Sequence, residues 1–576
     1  MKEPSRLFKI AQPLLRPPAW GDVVVFLGLG TLLYLAIRLG MGAPEVIQGP
    51  EINLSPGVLP YYVGLSLGRM FCAYVLSMVF SMVFGYLAAK NQTAEKFLLP
   101  LLDVLQSVPL LSFLPVVFLS TAAVLPLHLA LELSSIVLIF TSQAWNIAFA
   151  WYQSLTTIPR ELRLTSTMFR FSTWLRFKTL ELPFAAITLI WNSMASWAGG
   201  WFFLMASEMF TAGERNFRLP GLGSYLQEAA NQGNLQAVMY GLGALVLTIL
   251  ALDQFIWRPL LAWSDRFKMQ FVESENPPTS WFYNALRSSR MFAAIYENIL
   301  KPVSIKLDPM LLRLSPGLEY PLGERRARAW PRYLLAAAAL LALAVLLYEA
   351  YQGGRLLMGV SLGQWGDIGI GLVATQLRVL AALLIALAWT IPAGVLIGTS
   401  PRLANWLQPL VQVTASIPAT ALFPVLLLLV VHLPGELDLA AVLLMLLGTQ
   451  WYLLFNIIAG ASAIPQDLKY TTALLQLGRW ERWKTLFLPA LFPYAVTGAI
   501  AAAGGAWNAS IVSEYTQFGG RVLTTTGIGA IIAQATAEGD YPQVLAATLA
   551  LIVTVCTLNR LVWRRLYNLA EERYRF

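Results

Sequence analysis

The chain has 576 residues, 57% of them hydrophobic and only 12% charged, with a mean hydropathy of +0.62; an ordinary soluble domain carries about a quarter charged residues. The 40 Lys and Arg exceed the 31 Asp and Glu to give a net charge of +9, and in so apolar a chain their placement matters more than their sum. A soluble globule is excluded, and long unbroken apolar runs exclude a β-barrel, whose strands alternate, so the sequence predicts an all-α, polytopic membrane protein.

A spanning helix needs about 20 apolar residues. In chain order, the first half offers six such segments, at 21–40, 62–89, 98–124, 131–153, 183–211 and 236–260. The run Met70 to Ala89 contains no Asp, Glu, Lys, Arg or His, nor does Val379 to Gly398 further on. Lys2, Arg6 and Lys9 make the N-terminus basic and no small-residue cleavage site follows, so no removable signal peptide is expected. Lys90 and Lys96 mark one loop, and Arg160, Arg163, Arg170, Arg176 and Lys178 another, whereas 41–60 offers only Glu45 and Glu51. That bias puts both termini of each half in the cytoplasm.

Self-comparison fixes the architecture. Arg69 to Pro109 recurs as Arg378 to Pro418 at an offset of 309, pairing Gly85 with Gly394 and Pro115 with Pro424. After a three-residue deletion the offset is 306, from Trp145 and Trp451 through Glu208 and Glu514 to Arg258 and Arg564. About 12 spans as two parallel six-helix repeats follow, related about an axis along the membrane normal. The expected division is a first repeat at 1–261 (core 60–261), a cytoplasmic linker at 262–332, and a second repeat at 333–576 (core 370–570). Within the linker, a short amphipathic helix is expected near 281–300.

Between the fourth and fifth spans, each half carries a 24-residue segment running from proline to proline: Pro159 to Pro183, and Pro465 to Pro489. The proline opens a helix, and Glu161 or Asp467 suits its positive end. Its middle shows apolar and aromatic side chains among cations: Met168, Phe169, Phe171 and Trp174 around Arg170, and Leu474 and Trp480 around Gln476 and Gly478. A helix that docks in another protein's groove has this look, and so has one lying on lipid headgroups.

The fifth spans hold the other signals. Ser193, Trp197, Trp201, Leu204 and Glu208 share one helical face, matched by Ala499, Ala503, Trp507, Ser510 and Glu514. A pathway or gate is expected there, bulkier in the first half, with Glu208 and Glu514 near its outer end. Interface anchoring and close helix packing are the structural alternatives. Asn146, Asn192 and Asn508 read as interhelical ties. Cys72 and Cys556 read as small core residues, and His128 and His432 as solvated loop residues. No metal site, catalytic cluster or nucleic-acid feature is present in the sequence, and no G-x-x-x-x-G-K-[ST] occurs, so any ATP must be bound by partners.

Taken with Gln106-Ser-Val-Pro109, Ala415-Ser-Ile-Pro418, Gly221-Leu-Gly223 and Gly527-Ile-Gly529, the proline-to-proline segment resembles the permease subunits of ATP-binding-cassette importers, nearest the nitrate, sulfonate, taurine and bicarbonate class. The resemblance covers roughly 60–265 and 370–570. It implies that the segment is the EAA loop, which inserts a coupling helix into an ATPase subunit, with Glu161, Thr165, Met168, Phe169, Arg170, Phe171 and Trp174 in the first copy. Asp467, Thr471, Leu474, Gln476, Gly478 and Trp480 serve in the second. The chain departs from the family where Glu-Ala-Ala is usual, having Leu164-Thr165-Ser166 and Tyr470-Thr471-Thr472, and where the usual glycine is replaced by Arg170 or Gln476. The resemblance further implies an importer for a small, often anionic solute in the inner (plasma) membrane. Two ATPase subunits would bring ATP and Mg, and a periplasmic or extracellular solute-binding protein could deliver the solute. Parallel six-span repeats also describe secondary transporters, and a non-catalytic membrane scaffold is a further reading.

Overall fold

A computed structural model describes residues 20–573 apart from 45–46, 48, 213–214, 268–279, 290–296, 299–301, 303–307, 310–343, 416, 431–435, 465 and 519–520. The first half runs α1 (Trp20–Gly40), α2 (Leu59–Lys90), α3 (Gln92–Ser107), α4 (Leu114–Val124), α5 (Leu127–Thr157), α6 (Arg160–Met168), α7 (Thr173–Arg176) and α8 (Leu182–Met209). A small hairpin of β1 (Thr211–Ala212) and β2 (Arg215–Asn216) follows, then α9 (Leu222–Asn231), α10 (Leu235–Leu252) and α11 (Arg258–Ser264). The second half repeats this order, with Leu362–Thr399 answering α2, Glu436–Ala463 answering α5, Leu488–Ser513 answering α8, and the hairpin β3 (Tyr515–Phe518) and β4 (Arg521–Thr524) answering β1 and β2. The protein is an all-α polytopic membrane protein built from two such units. Among the described residues seven helices are long and apolar enough to cross a membrane, with shorter apolar helices at Leu27–Gly40, Leu110–Val124 and Ala419–Val430. At 28 residues α8 also has the length, about 42 Å at 1.5 Å per residue, but Asn192, Ser193 and Ser196 make it more polar.

Helix pairs close on small residues, as packing without a hydrophobic drive requires. On α2, Ser77 and Ser81 donate to the Phe140 and Ala144 carbonyls of α5 at 3.1 and 2.7 Å. Gly85 sits where a Cβ would press on Trp151, so the two backbones approach directly. Each elbow into the fifth span is a π turn, Phe177–Glu181 and Trp483–Phe487, ahead of Leu182-Pro183 and Leu488-Pro489. The wider turn absorbs the donor that proline lacks. A shared core joins the halves, with Phe118 and Phe217 of the first packed in one cluster with Phe423 and Trp507 of the second.

Four expectations are corrected. The third span is not one helix over 98–124: it breaks at Val108-Pro109, which is extended, and restarts through the 3-10 turn Leu110–Phe113. Proline forces this by removing a donor and driving the residue before it out of the helical region. Cys72 is exposed on α2 rather than in the core, whereas Cys556 is buried. The linker helix α12 (Trp281–Ser288) starts where expected but ends at Ser288. Of the asparagines, Asn192 donates to Thr188 in its own helix at 2.9 Å, while Asn508 ties the halves together by accepting from the Leu111 N–H at 3.2 Å. His128 lies exposed in the first turn of α5, and His432 falls outside the described residues.

Candidate functional site between two carboxylate clamps

Glu208, at the last turn of α8, is fully buried. Its Oε1 accepts from Ser66 Oγ and from an Arg69 Nη, both at 2.7 Å, and its Oε2 accepts from the Gly223 N–H at 2.8 Å. Arg69 meanwhile holds Glu132 through two bonds of 2.6 Å and the Pro220 carbonyl at 2.9 Å. A carboxylate at this depth is costly unless paired and fully hydrogen-bonded; here every oxygen is engaged at the N-terminus of α9, whose dipole favours it. The second half repeats the arrangement. Glu514 is also fully buried and accepts from Thr375 at 2.7 Å, Arg378 at 3.0 Å and the Gly529 N–H at 2.9 Å. The Gly-x-Gly pairs are explained by this contact: a Cβ on Gly221 would collide with the Glu208 carboxylate, and one on Gly527 with that of Glu514.

These clamps fix the loop that follows each fifth span, and between the two loops lies a cavity of about 270 Å³. Its lining comes in equivalent pairs. Leu114 faces it with Phe423 (offset 309), and Ala206, Met209, Phe210, Asn216 and Gln227 face it with Val512, Tyr515, Thr516, Val522 and Ala533 (offset 306). A cavity lined by both members of each pair lies on the pseudo-twofold axis. It is at the end of α8 remote from α6. Its polarity is lopsided, since Asn216, Arg218, Gln227, Glu228 and Asn231 come from the first half, where the second has Val522, Thr524, Ala533, Gln534 and Ala537. Arg218 is held by Glu228 at 2.7 Å and by Asn216 at 3.1 Å. Arg521, on β4, also lines the cavity and has no ion-pair or hydrogen-bond partner among the described residues.

At the opposite end stand the proline-to-proline segments. Glu161 and Asp467 lie in the first turns of α6 and of its counterpart Gln466–Leu474, and the Thr165 and Thr471 hydroxyls donate to the Glu161 and Asp467 carbonyls at 2.8 and 2.7 Å. Each helix ends on a left-handed residue, Arg170 (φ 52°) and Gln476 (φ 50°), the two non-glycine residues with positive φ among those described. The Phe171 and Leu477 N–H groups then donate back to the Ser166 and Thr472 carbonyls at 3.0 and 3.3 Å. That is a Schellman closure, which glycine usually supplies. The chain therefore makes this turn at both positions without a glycine. The closure projects apolar tips outward, with Met168 82%, Phe169 72% and Leu474 83% exposed.

The two segments differ beyond the turn. In the first, Glu181 is buried between Lys90 (2.5 Å) and Arg176 (3.2 Å), and Asp308 of the linker accepts from Trp174 Nε1 at 3.1 Å and from Lys178 at 2.6 Å. Those two donors hold the Asp308 carboxyl below the usual carboxylate range. In the second, Phe487 and Thr399 replace Glu181 and Lys90, Lys484 lies over the Trp480 ring, and Trp480 is 68% exposed. There the Gly478 N–H donates to the Glu481 carboxylate at 2.8 Å, capping the short helix Arg479–Arg482.

Ser193, Trp197, Trp201, Trp507 and Ser510 of the fifth spans do not line this cavity. Trp197 and Trp201 pack in the first half's own core, Trp197 against Tyr74 and Trp257. Ser193, Trp507 and Ser510 are buried likewise. Trp197 Nε1 and both polar atoms of Gln143 on α5 are buried without a hydrogen-bond partner among the described residues. Sequence reasoning missed Ser66, Arg69, Glu132 and their counterparts Thr375, Arg378 and Asp438, although the same offsets mark them. It also missed Arg218, in the loop after β2, and Arg521, at the start of the short strand β4, neither of them in a periodic pattern.

Comparison with known proteins agrees with this geometry. The sequence pattern of the binding-protein-dependent transport system inner membrane component family matches residues 81–255 and again 390–575, more than half of the chain. A nitrate import permease protein of Leptolyngbya laminosa is 29% identical over 191 residues, 33% of this chain and 65% of that protein. A bicarbonate transport system permease protein of Synechococcus elongatus is 27% identical over 266 residues, 46% of this chain and 90% of its own length. A taurine transport system permease protein of Escherichia coli is 25% identical over 195 residues, 34% of this chain and 67% of its own. The chain thus spans about two thirds of the length of the nitrate relative and most of the bicarbonate one. Two matches in tandem, on two units with the same clamp and the same turn, show that this chain belongs to the binding-protein-dependent transport system inner membrane components, the permeases of ABC importers, and carries two family units fused in one polypeptide.

Proposed function

We propose that the chain is the complete transmembrane part of an ATP-driven importer for a small anion, working with two separate ATPase subunits that bring ATP and Mg. The names of its relatives, which carry nitrate, bicarbonate and taurine, support the substrate class. The observation that carries the coupling is the repetition of one docking element: a short polar helix, closed by a left-handed turn, that holds Met168 and Phe169 or Leu474 out from the chain. Burying one such side chain contributes about 1.5–3 kcal/mol, enough for each tip to anchor in an ATPase groove. In this reading the α6 face is cytoplasmic, both termini lie on that side of the plasma membrane, and a solute-binding protein docks over the axial cavity. ATP binding draws the two coupling elements together, and the halves rock about their shared core. Glu208 and Glu514 keep the outer loops attached to the fifth spans during that motion. The unpartnered polar atoms of Trp197 and Gln143 mark the part of the first half whose contacts change as it moves, since such atoms cost about 1–3 kcal/mol each when left unsatisfied.

Uptake of nitrate, bicarbonate and taurine into proteoliposomes holding the assembled complex tests this. ATP-dependent uptake of one of them should fall at least tenfold in the double variant Arg170→Glu, Gln476→Glu, with the membrane part still folded. Full uptake in that variant contradicts the coupling role, and uptake by the chain alone, driven by an ion gradient, would make it a secondary transporter.

A further inference from the structure

We infer that the axial cavity is a binding site for a small oxyanion, with Arg521 as the residue that holds it; this deepens the proposed function and rests on its anionic substrate class. The charges at the cavity do not cancel. Arg218 is neutralised by Glu228 at 2.7 Å, whereas the Arg521 guanidinium has no carboxylate partner among the described residues, so the described lining holds two arginines against one carboxylate. Guanidinium suits this role because its planar fork meets two oxygens of a carboxylate, nitrate or sulfonate at once, which a spherical halide does not exploit.

Size is compatible with this class: at about 270 Å³ the cavity lies at the lower end of the roughly 300–1,000 Å³ of small-molecule sites, and an anion of about four to eight non-hydrogen atoms enters it with part of its hydration shell. Leu114, Ala206, Phe210 and Phe423 supply an apolar part of the lining, and Asn216 and Gln227 add side-chain amides to it. The paired lining puts the site on the axis that both halves share, and the hairpins carrying Asn216 and Arg521 directly follow the fifth spans. An anion seated there touches both moving units at once.

Titration calorimetry on the purified full chain in lipid nanodiscs tests the inference, using sodium nitrate, bicarbonate and methanesulfonate as probes and chloride as comparator. At least one oxyanion should bind wild-type protein more tightly than chloride. Arg521→Gln should weaken it tenfold or more and Arg521→Lys less, with unchanged melting curves because the hairpin position is exposed. Val522→Trp, which fills the cavity without altering a charge, should weaken it as well. The inference is overturned if no oxyanion binds wild-type protein, or if either Arg521→Gln or Val522→Trp binds as wild type does. Because no ATPase or ATP is present, failure here is separate from a failure of ATP-driven uptake, which would count against the proposed function instead.

Discussion

The two halves share a frame and differ in what is hung on it. Both hold a buried glutamate between an arginine, a hydroxyl and a glycine N–H, and both close the short helix after the fourth span with a left-handed residue. The first half, however, adds a buried Glu181 at its elbow, a linker aspartate on Trp174 and most of the polar wall of the cavity, while the second leaves Trp480 open and lines the cavity with Val522 and Ala533. Duplication followed by fusion explains this. Backbone geometry is constrained in both copies by the clamp and the turn, whereas side chains facing a partner, the linker or the cavity answer to only one neighbour each. Two identical subunits related by symmetry have no means of making one docking face unlike the other; a fused chain does.

The largest effect should come from breaking the frame. Removing one partner of a buried, hydrogen-bonded ion pair costs about 3–5 kcal/mol, so Arg69→Ala or Glu208→Ala should lower the melting temperature and yield strongly. Arg378→Ala and Glu514→Ala should do so less, because Arg378 is 12% exposed where Arg69 is 3%, and its second partner Asp438 is 60% exposed where Glu132 is 29%. Equal losses in the two halves, measured by thermal unfolding in nanodiscs, would show that burial does not distinguish the clamps.

A smaller effect is expected at the turns. A non-glycine residue in the left-handed region costs about 1–2 kcal/mol, so Arg170→Gly and Gln476→Gly should leave ATPase association intact and raise stability by up to about 1 kcal/mol each. Arg170→Val and Gln476→Val should loosen association instead. If glycine weakens ATPase binding at one site only, that side chain contacts the ATPase, and the comparison between the two docking faces gains a named residue.

The smallest effect should be the linker contact. Asp308 has its carboxyl held below its usual value by Lys178 and Trp174, so the attachment is complete above the ordinary carboxylate pKa and is lost as pH falls through the depressed folded value. Limited proteolysis of the linker should therefore be unchanged from pH 8 to 5 and accelerate in more acidic buffer, and Asp308→Asn should show the faster cleavage at every pH. Insensitivity of the cleavage rate to both changes would remove the latch from the account of asymmetry.

Much of this was legible in the sequence because repetition is legible. The offsets of 309 and 306 carried the paired glutamates and the proline-to-proline segments, and each is found in equivalent places in the two halves. The break at Pro109 was hidden by the continuous apolar run around it, which satisfies a span by composition although proline interrupts the hydrogen bonding. The cavity was hidden for a different reason. Trp197 and Trp201 announced themselves by size and spacing, yet bulky residues at helical period pack into a core, and the groups that face the axis are ordinary residues in short hairpins and the loop after one of them: Asn216, Arg521 and Arg218. Nothing in a loop's sequence states which way it folds, and here the clamp decides it through contacts about 140 residues apart, from Arg69 to Glu208 and from Arg378 to Glu514.

The claim that one chain supplies both halves of the membrane pathway is tested most directly by native mass spectrometry of the complex taken from its own membrane. The account predicts one copy of this chain with two ATPase subunits, one for each of the unlike docking faces. A stable assembly holding two copies of the chain for one pair of ATPases would contradict it.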